Sequence, residues 1–447
     1  MTGTTGVSPV GGGNTGRTGV PPVASNTFVY SYLPGTDLVF CYTCGGFSRT
    51  VAYEPYRDLV SAITNRFGSR VISTFEYAND AAGRRTAISR GGDAMGPLSD
   101  GDVTYTCDAA GNRMTRTENC ETITYTLGVG DRLASYGRAG APRAPQSAEG
   151  AYTHDAAGNV TRIKRDGRPT LDLAWNSQYQ LVSVSTNGVF AEGYSYDALN
   201  RRVSTTTLEG MTRHVYDGNW QCIADIDENG SVVTSYVWGE GIDKLLAVTV
   251  GGSTYYALTD IQGTVWGYVD SQNNVVARWQ YDAWGNVVDE YVAPSATALS
   301  LVRYRFQGRE WSAATGLINF RMRWYDSETG RWLSKDPIGL HGGLNQYLFC
   351  YGDSINFIDD DGLSVSAIGI SALAIAGAAT AAYILSYVLS HMRGRCPGER
   401  GWTSKSSGTG NPFKHIRPDP DDPNKIIFKD PQTGKKIPKK KPQGYPR

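Results

Sequence analysis

Three consecutive aspartates, Asp359, Asp360 and Asp361, stand directly before Gly362-Leu363, and Asp336 precedes Pro337 a short way upstream. Close carboxyls repel, so one keeps its proton as an acid while the other works as a base, the chemistry by which paired aspartates cut peptides. The competing reading is that these residues only form turns, the usual role of Asp-Gly and Asp-Pro pairs in loops. Other chemistry is thinly represented. The five histidines, His154, His214, His341, His391 and His415, are scattered, no H-E-x-x-H or P-loop occurs, and no G-x-G-x-x-G opens a βαβ unit, so neither a cofactor nor a metal is expected. Cys41 and Cys44 form a C-x-x-C without a second pair at zinc-ribbon spacing, which points to a structural role such as a local disulfide. In the tail, His415 flanked by Lys414 and Arg417 would suit a general base with phosphate-holding cations, and only then would nucleic acid be a partner.

The elements that position these groups are β-strands. A chain of 447 residues, 40% hydrophobic, has material for a large core, and 27 Tyr and 10 Trp against 12 Phe favour strands with one wet face. The zero net charge conceals a division, since residues 391–447 hold 14 Lys/Arg against 5 Asp/Glu while the rest is acidic by nine charges. The basic tail is a separate unit. Residues 1–26 are a low-complexity start with one charge, Arg17, and without the basic and apolar regions of a signal peptide. Such a start also fits a chain whose upstream part is encoded elsewhere or lost.

One pattern recurs. Tyr105-Thr-Cys-Asp108-Ala-Ala-Gly111-Asn112-Arg113 returns as Tyr152-Thr-His-Asp155-Ala-Ala-Gly158-Asn159, as Tyr194-Ser-Tyr196-Asp197-Ala-Leu-Asn200-Arg201, and as Tyr281-Asp282-Ala-Trp-Gly285-Asn286. Degenerate copies centre on Asp80, Asp217 and Asp260, and successive Asp anchors lie 28, 47, 42, 20, 43 and 22 residues apart, near one or two units of about twenty. An Asp that accepts backbone N–H groups, followed by Gly-Asn that tolerates positive φ, makes each copy a strand-turn-strand piece. A lone hairpin is marginal in water, so the units must stack into a long, twisted, shell-like antiparallel sheet.

These units resemble YD repeats. The block that follows is similar to the Rhs repeat-associated core: Tyr304-Arg-Phe-Gln-Gly308-Arg309-Glu310, Thr315-Gly316-Leu317, then Arg321-Met-Arg323-Trp-Tyr325-Asp326 through Trp332-Leu333-Ser334-Lys335-Asp336-Pro337-Ile-Gly339-Leu340, continued by Asn345, Tyr347 and Tyr351. The likeness runs over residues 70–363. It implies a hollow β shell that encloses a variable, toxic C-terminal segment until a secretion system or toxin complex delivers it. It also implies that the core cuts the chain after its terminal D-P-x-G-L, here Asp359-Asp360-Asp361-Gly362-Leu363. On this resemblance Asp336, in a D-P-x-G block, and Asp359 are the candidate catalytic pair, with cleavage after Leu363. Two family prolines are replaced, by Ser354 and Asp360.

The expected division is therefore 27–303 YD-repeat region, 304–363 core, 364–392 hydrophobic helix and 393–447 basic variable tail. Ala367 to Leu389 is an uncharged run of 23 residues, long enough to span a bilayer, with arginines only on its C-terminal side. The partners to expect are an immunity protein, delivery machinery and, through that run, a membrane, in a secreted, cell-surface or membrane-associated protein. Competing readings are a surface adhesion protein that stacks aromatic faces on carbohydrate, and an inactive remnant of an Rhs element. Orientation of Trp266, Trp279, Trp284, Trp311, Trp324 and Trp332 discriminates between shelter and adhesion.

Overall fold

The computed structural model describes residues 27–95, 103–138 and 149–367, except 219 and 242, together with the backbone of Gly6–Val7, Ile416–Asp419 and Asp422–Phe428. Among them regular structure is almost all antiparallel β, and the helical turns, such as Pro294–Leu301 and Gly339–Gly342, are short 3-10 segments. Two large sheets replace the single one expected. Seven strands, ending with Phe28–Tyr32 through Arg85–Gly91, form the first, and eighteen, from Val103–Cys107 to Val287–Val292, form the second.

The repeat signature produces the turns that join these strands. Asp108, Asp197 and Asp282 each accept, through Oδ1, the N–H groups two and four residues on, at 2.8–3.0 Å. Asp155 takes those of Gly158 and Asn159 at 2.7 and 2.8 Å. Chain reversal then needs a left-handed residue, supplied by Gly111 (φ 80°), Gly158 (φ 103°), Asn200 (φ 65°) and Gly285 (φ 84°). Asn176 folds the same way, accepting from Gln178 and Gln180, and fills the gap between Asp155 and Asp197 with a copy whose Asp has been lost.

Because the sheet is a meander, all these turns fall at one end of the strands, and the residue that opens the following strand is buried there: Arg113, Val160, Leu181, Arg202, Cys222 and Val265. Residues 304–363 pack over this end. Val160 N–H donates to Leu333 O (2.8 Å), Val265 N–H to Arg305 O (3.1 Å), and Tyr347 Oη to Gly158 O (2.8 Å). Arg113 lies over both Tyr105 of the first strand and Trp284 beyond the penultimate one, 4.5 and 4.6 Å from their rings, so one guanidinium joins the two ends of the sheet. Its planar cation suits two ring faces where an ammonium would not.

Two expectations fail locally. Cys41 and Cys44 are free thiols: three apart on the strand Val39–Cys44, they face opposite sides, one partly exposed and one buried, so no disulfide joins them. The expected helix also does not begin at residue 364. Val365–Ala367 is a strand paired with Phe357–Asp359, because Gly362 (φ 77°) has already turned the chain back on itself. No helix among the described residues is long and apolar enough to cross a membrane, and 368–392 lies outside them. The unit Ser404–Arg447 contains an antiparallel pair, Ile416–Asp419 with Asp422–Phe428, while Lys414 and His415 lie outside the described residues.

Candidate functional site

Four short strands, Glu310–Trp311, Ile318–Phe320, Arg323–Asp326 and Arg331–Trp332, form the sheet that carries the site. Beneath it Phe320, Tyr325, Trp332 and Phe349 pack edge-on and tilted, with centroids 4.2–5.6 Å apart. Pairs of this kind add about 0.5–1.5 kcal/mol each beyond their burial, so the platform is firm. Arg323 opens its strand, and its guanidinium lies 4.1 Å from the Trp332 ring.

This arginine organises both candidate aspartates. Its Nη1 lies 3.0 Å from Asp336 Oδ2 and its Nη2 3.5 Å from Asp359 Oδ2, while Nε donates to the Gly362 carbonyl. Asp336 follows the strand Arg331–Trp332, and its Oδ1 accepts Ile338 N–H at 3.0 Å. A Cβ on Gly342 would come 2.2 Å from Asp336 Oδ2, so a larger residue here would push the carboxylate out of its place. Asp359 ends the strand Phe357–Asp359, and its Oδ1 accepts Gly362 N–H at 2.7 Å and Asp361 N–H at 3.3 Å. Its Oδ2 is buried and has no hydrogen-bond partner among the described residues.

The electrostatics follow from this placing. Burial raises the proton affinity of Asp359 most, Arg323 lowers it and Asp361 raises it again, leaving a carboxyl pushed up to about 7. Asp336 is raised as well, by burial first, against Arg323 at hydrogen-bond distance. The structure thus brings together the two aspartates singled out from sequence, and adds Arg323, whose role spacing did not reveal although it lies in the Arg321-Met-Arg323 block. The displaced prolines have definite environments. Ser354 donates its hydroxyl to Ala283 O in the Asp282 turn, and Asp360 offers its carbonyl to Arg309 Nη1 (2.9 Å) and Arg321 Nη1 (2.6 Å).

Away from this site, His214, Cys222 and Asp225 are buried with their ligand-type atoms within 4.8 Å of one another. Arg303 fills the centre of that trio, with Nη1 2.7 Å from His214 Nδ1 and Nη2 3.0 Å from Asp225 Oδ1, and Tyr236 donates to Asp225 Oδ2 at 2.6 Å. A permanent cation in that position suits a structural network and repels a metal. Trp266, Trp279, Trp284 and Trp332 are buried in one hydrophobic cluster with Trp311 partly buried against it, and Trp324 is buried in a second. They do not form the exposed row that adhesion to sugar requires.

A repeat sheet whose signature turns are covered by an aromatic core from the same chain defines a β-shell protein of the YD-repeat class. The chain belongs to the YD-shell family, the Teneurin YD-shell model matching residues 47–345. It is 29% identical over 392 residues to the toxin protein Tse5 of Pseudomonas aeruginosa, covering 74% of this chain and 28% of that one. To the double-stranded DNA deaminase toxin A of Burkholderia cenocepacia it is 28% identical over 351 residues, 71% of this chain and 22% of the relative. The tRNA3(Ser)-specific nuclease WapA of Bacillus spizizenii is 28% identical over 272 residues, 58% and 11% of the respective chains. The chain therefore spans between about a tenth and somewhat over a quarter of the length of these relatives. Among solved structures, the TcdB2-TccC3-TEV crystal structure superposes with a TM-score of 0.54 at 18% identity, over 76% of this chain and 20% of that one, a likeness of fold.

Proposed function

We propose that this chain supplies the closing segment of a toxin shell, presenting the C-terminal residues for delivery into a competing or target cell and cutting itself after Leu363. The observation that carries the reading is the convergence of Asp336, Asp359 and the Gly362 carbonyl on one buried guanidinium, immediately before the bond to be cut. Asp359, with its raised proton affinity, is the carboxyl that keeps a proton near neutrality, and Asp336, held against Arg323, is the ionised partner. Toxins among the relatives support a secreted or delivered protein, and export machinery and an immunity protein are the partners that this reading calls for.

Purified protein should resolve into two pieces, Met1 to Leu363 and an 84-residue remainder starting at Ser364. Asp336→Asn should leave one full-length band with an unchanged fold, since the amide matches the carboxylate in size but cannot take up and pass on a proton. Wild-type protein that stays intact in denaturing gels and by intact mass would remove self-cleavage, leaving a shell with a tethered tail.

A further inference from the structure

The residue between the family's Asp and Gly positions is free to vary in the D-P-x-G-L pattern, and here it is Asp361. Its carboxylate is the group that reaches the bond to be cut. Oδ1 accepts Leu363 N–H at 2.9 Å and Ser364 N–H at 2.8 Å, and Oδ2 lies 3.4 Å from the Ser364 hydroxyl. The Ser364 nitrogen is the leaving atom of the Leu363–Ser364 peptide. Asp336 and Asp359 face Arg323 and the loop backbone, and their recorded hydrogen bonds do not include that nitrogen.

We propose that Asp361 is a third catalytic carboxyl, the acid on the leaving-group side of self-cleavage; the inference rests on the function proposed above. Water adds through its oxygen to the Leu363 carbonyl carbon and gives a proton to the Asp336/Asp359 pair. As the carbon–nitrogen bond breaks, its electron pair goes to the Ser364 nitrogen, which takes a proton from Asp361. The products are a Leu363 carboxyl and a Ser364 amine, and the proton held by the pair restores Asp361 through solvent.

Two features favour this division of labour. The leaving amide must become an amine, and Asp361, which accepts the Ser364 N–H in the intact chain, is the carboxyl next to that nitrogen when it turns pyramidal and takes up a proton. The turn at Gly362 also leaves the side chain of Asp361 partly exposed at the rim of the site, in reach of water, whereas Asp359 is buried.

The test separates acid from turn-former. Asn and Ser accept backbone N–H groups in such turns about as well as Asp, but neither is an acid. Full chain made by cell-free translation is sampled over time from pH 5 to 8, and the two pieces are measured on gels and by intact mass. Asp361→Asn and Asp361→Ser should each slow cleavage about 100-fold or more, as removal of a general acid does. Both should melt as wild type does, and both should lose the alkaline-side fall of the rate profile, which Asp361→Glu should partly restore. Cleavage by both variants within threefold of wild type, with the same pH profile, overturns the role of Asp361 and leaves the Asp336/Asp359 reading standing. A wild-type chain intact at every pH overturns the self-cleavage reading itself, and this inference with it.

Discussion

Arg323 stands between Asp336 and Asp359, 3.0 Å from one carboxylate and 3.5 Å from the other, and its Nε holds the Gly362 carbonyl. One cation faces two carboxyls, so at most one of them is fully neutralised. The other must hold a proton or remain an uncompensated charge in a buried place. Arg323→Met should therefore lower stability by about 3–5 kcal/mol, the cost of breaking a buried ion pair from one side. Thermal melting should show it, together with loss of cleavage. Arg323→Lys keeps the charge without the planar fork, and should recover part of the stability and little of the cleavage.

The sign of the Asp359 shift makes a separate prediction. Its carboxyl is held at about 7 in the fold, above the ordinary carboxylate value, so the contribution is fully present below about 3.8 and is lost as pH rises through 7. Asp359→Asn removes that loss while its side-chain oxygen still accepts Gly362 N–H. The variant should be uncleaved, and should gain in melting temperature over wild type at pH 8 relative to pH 4. An equal difference at both pH values would refute the buried, proton-holding carboxyl.

Gly362 is required by geometry. At φ 77° a Cβ would stand 2.5 Å from the Phe320 carbonyl and 3.0 Å from Arg323 N, both of them backbone atoms that cannot swing aside. Gly362→Ala should displace the loop from Arg323 and abolish cleavage. The repeat sheet should keep its far-ultraviolet circular dichroism, because the Asp turns are made locally.

At residue 360 the recorded contacts are made by the carbonyl oxygen, towards Arg309 and Arg321, and proline retains that oxygen. Asp360→Pro should consequently fold and melt within a few degrees of wild type. Fixing φ one residue after Asp359 should also raise the cleaved fraction, as read on gels. A strongly destabilised variant would mean that the Asp360 side chain or N–H supports the loop.

His214 lies at the centre of a buried network with Arg303, Asp225, Thr205 and Arg202, and burial followed by Arg303 lowers its pKa to about 4. A depressed histidine contributes stability that is complete above about 6.5 and is lost as pH falls through 4, at about 1.4 kcal/mol per unit of that window. His214→Gln, whose amide can both donate to Asp225 and accept from Arg303, should flatten the dependence of melting temperature on pH between 6.5 and 4. If the slope is unchanged, the acid sensitivity belongs to other groups.

The residues that make the repeat act on their own backbone, and for that reason they are legible in one dimension. Asp108, Asp155, Asp197 and Asp282 bond N–H groups no more than four residues away, so the Y-x-x-D-A-x-G-N frame is itself the turn. Asp336 and Asp359 could be singled out by likeness to a core block. That they share Arg323 could not, since the three meet across 13 and 36 residues through strands whose register is set by packing on Trp332 and Phe349. The same limit explains the arginines that open strands after the turns: Arg113 and Arg202 read as polar residues of a hairpin, yet tertiary structure buries them against aromatic rings. It also explains Cys41 and Cys44, close in sequence and opposed across a strand, and Ser364–Ala367, apolar enough to read as helix but paired as strand once Gly362 reverses the chain. Local hydrogen bonding is written in neighbouring residues, whereas the partners of a buried charge are chosen by whatever the fold brings within about 4 Å of it.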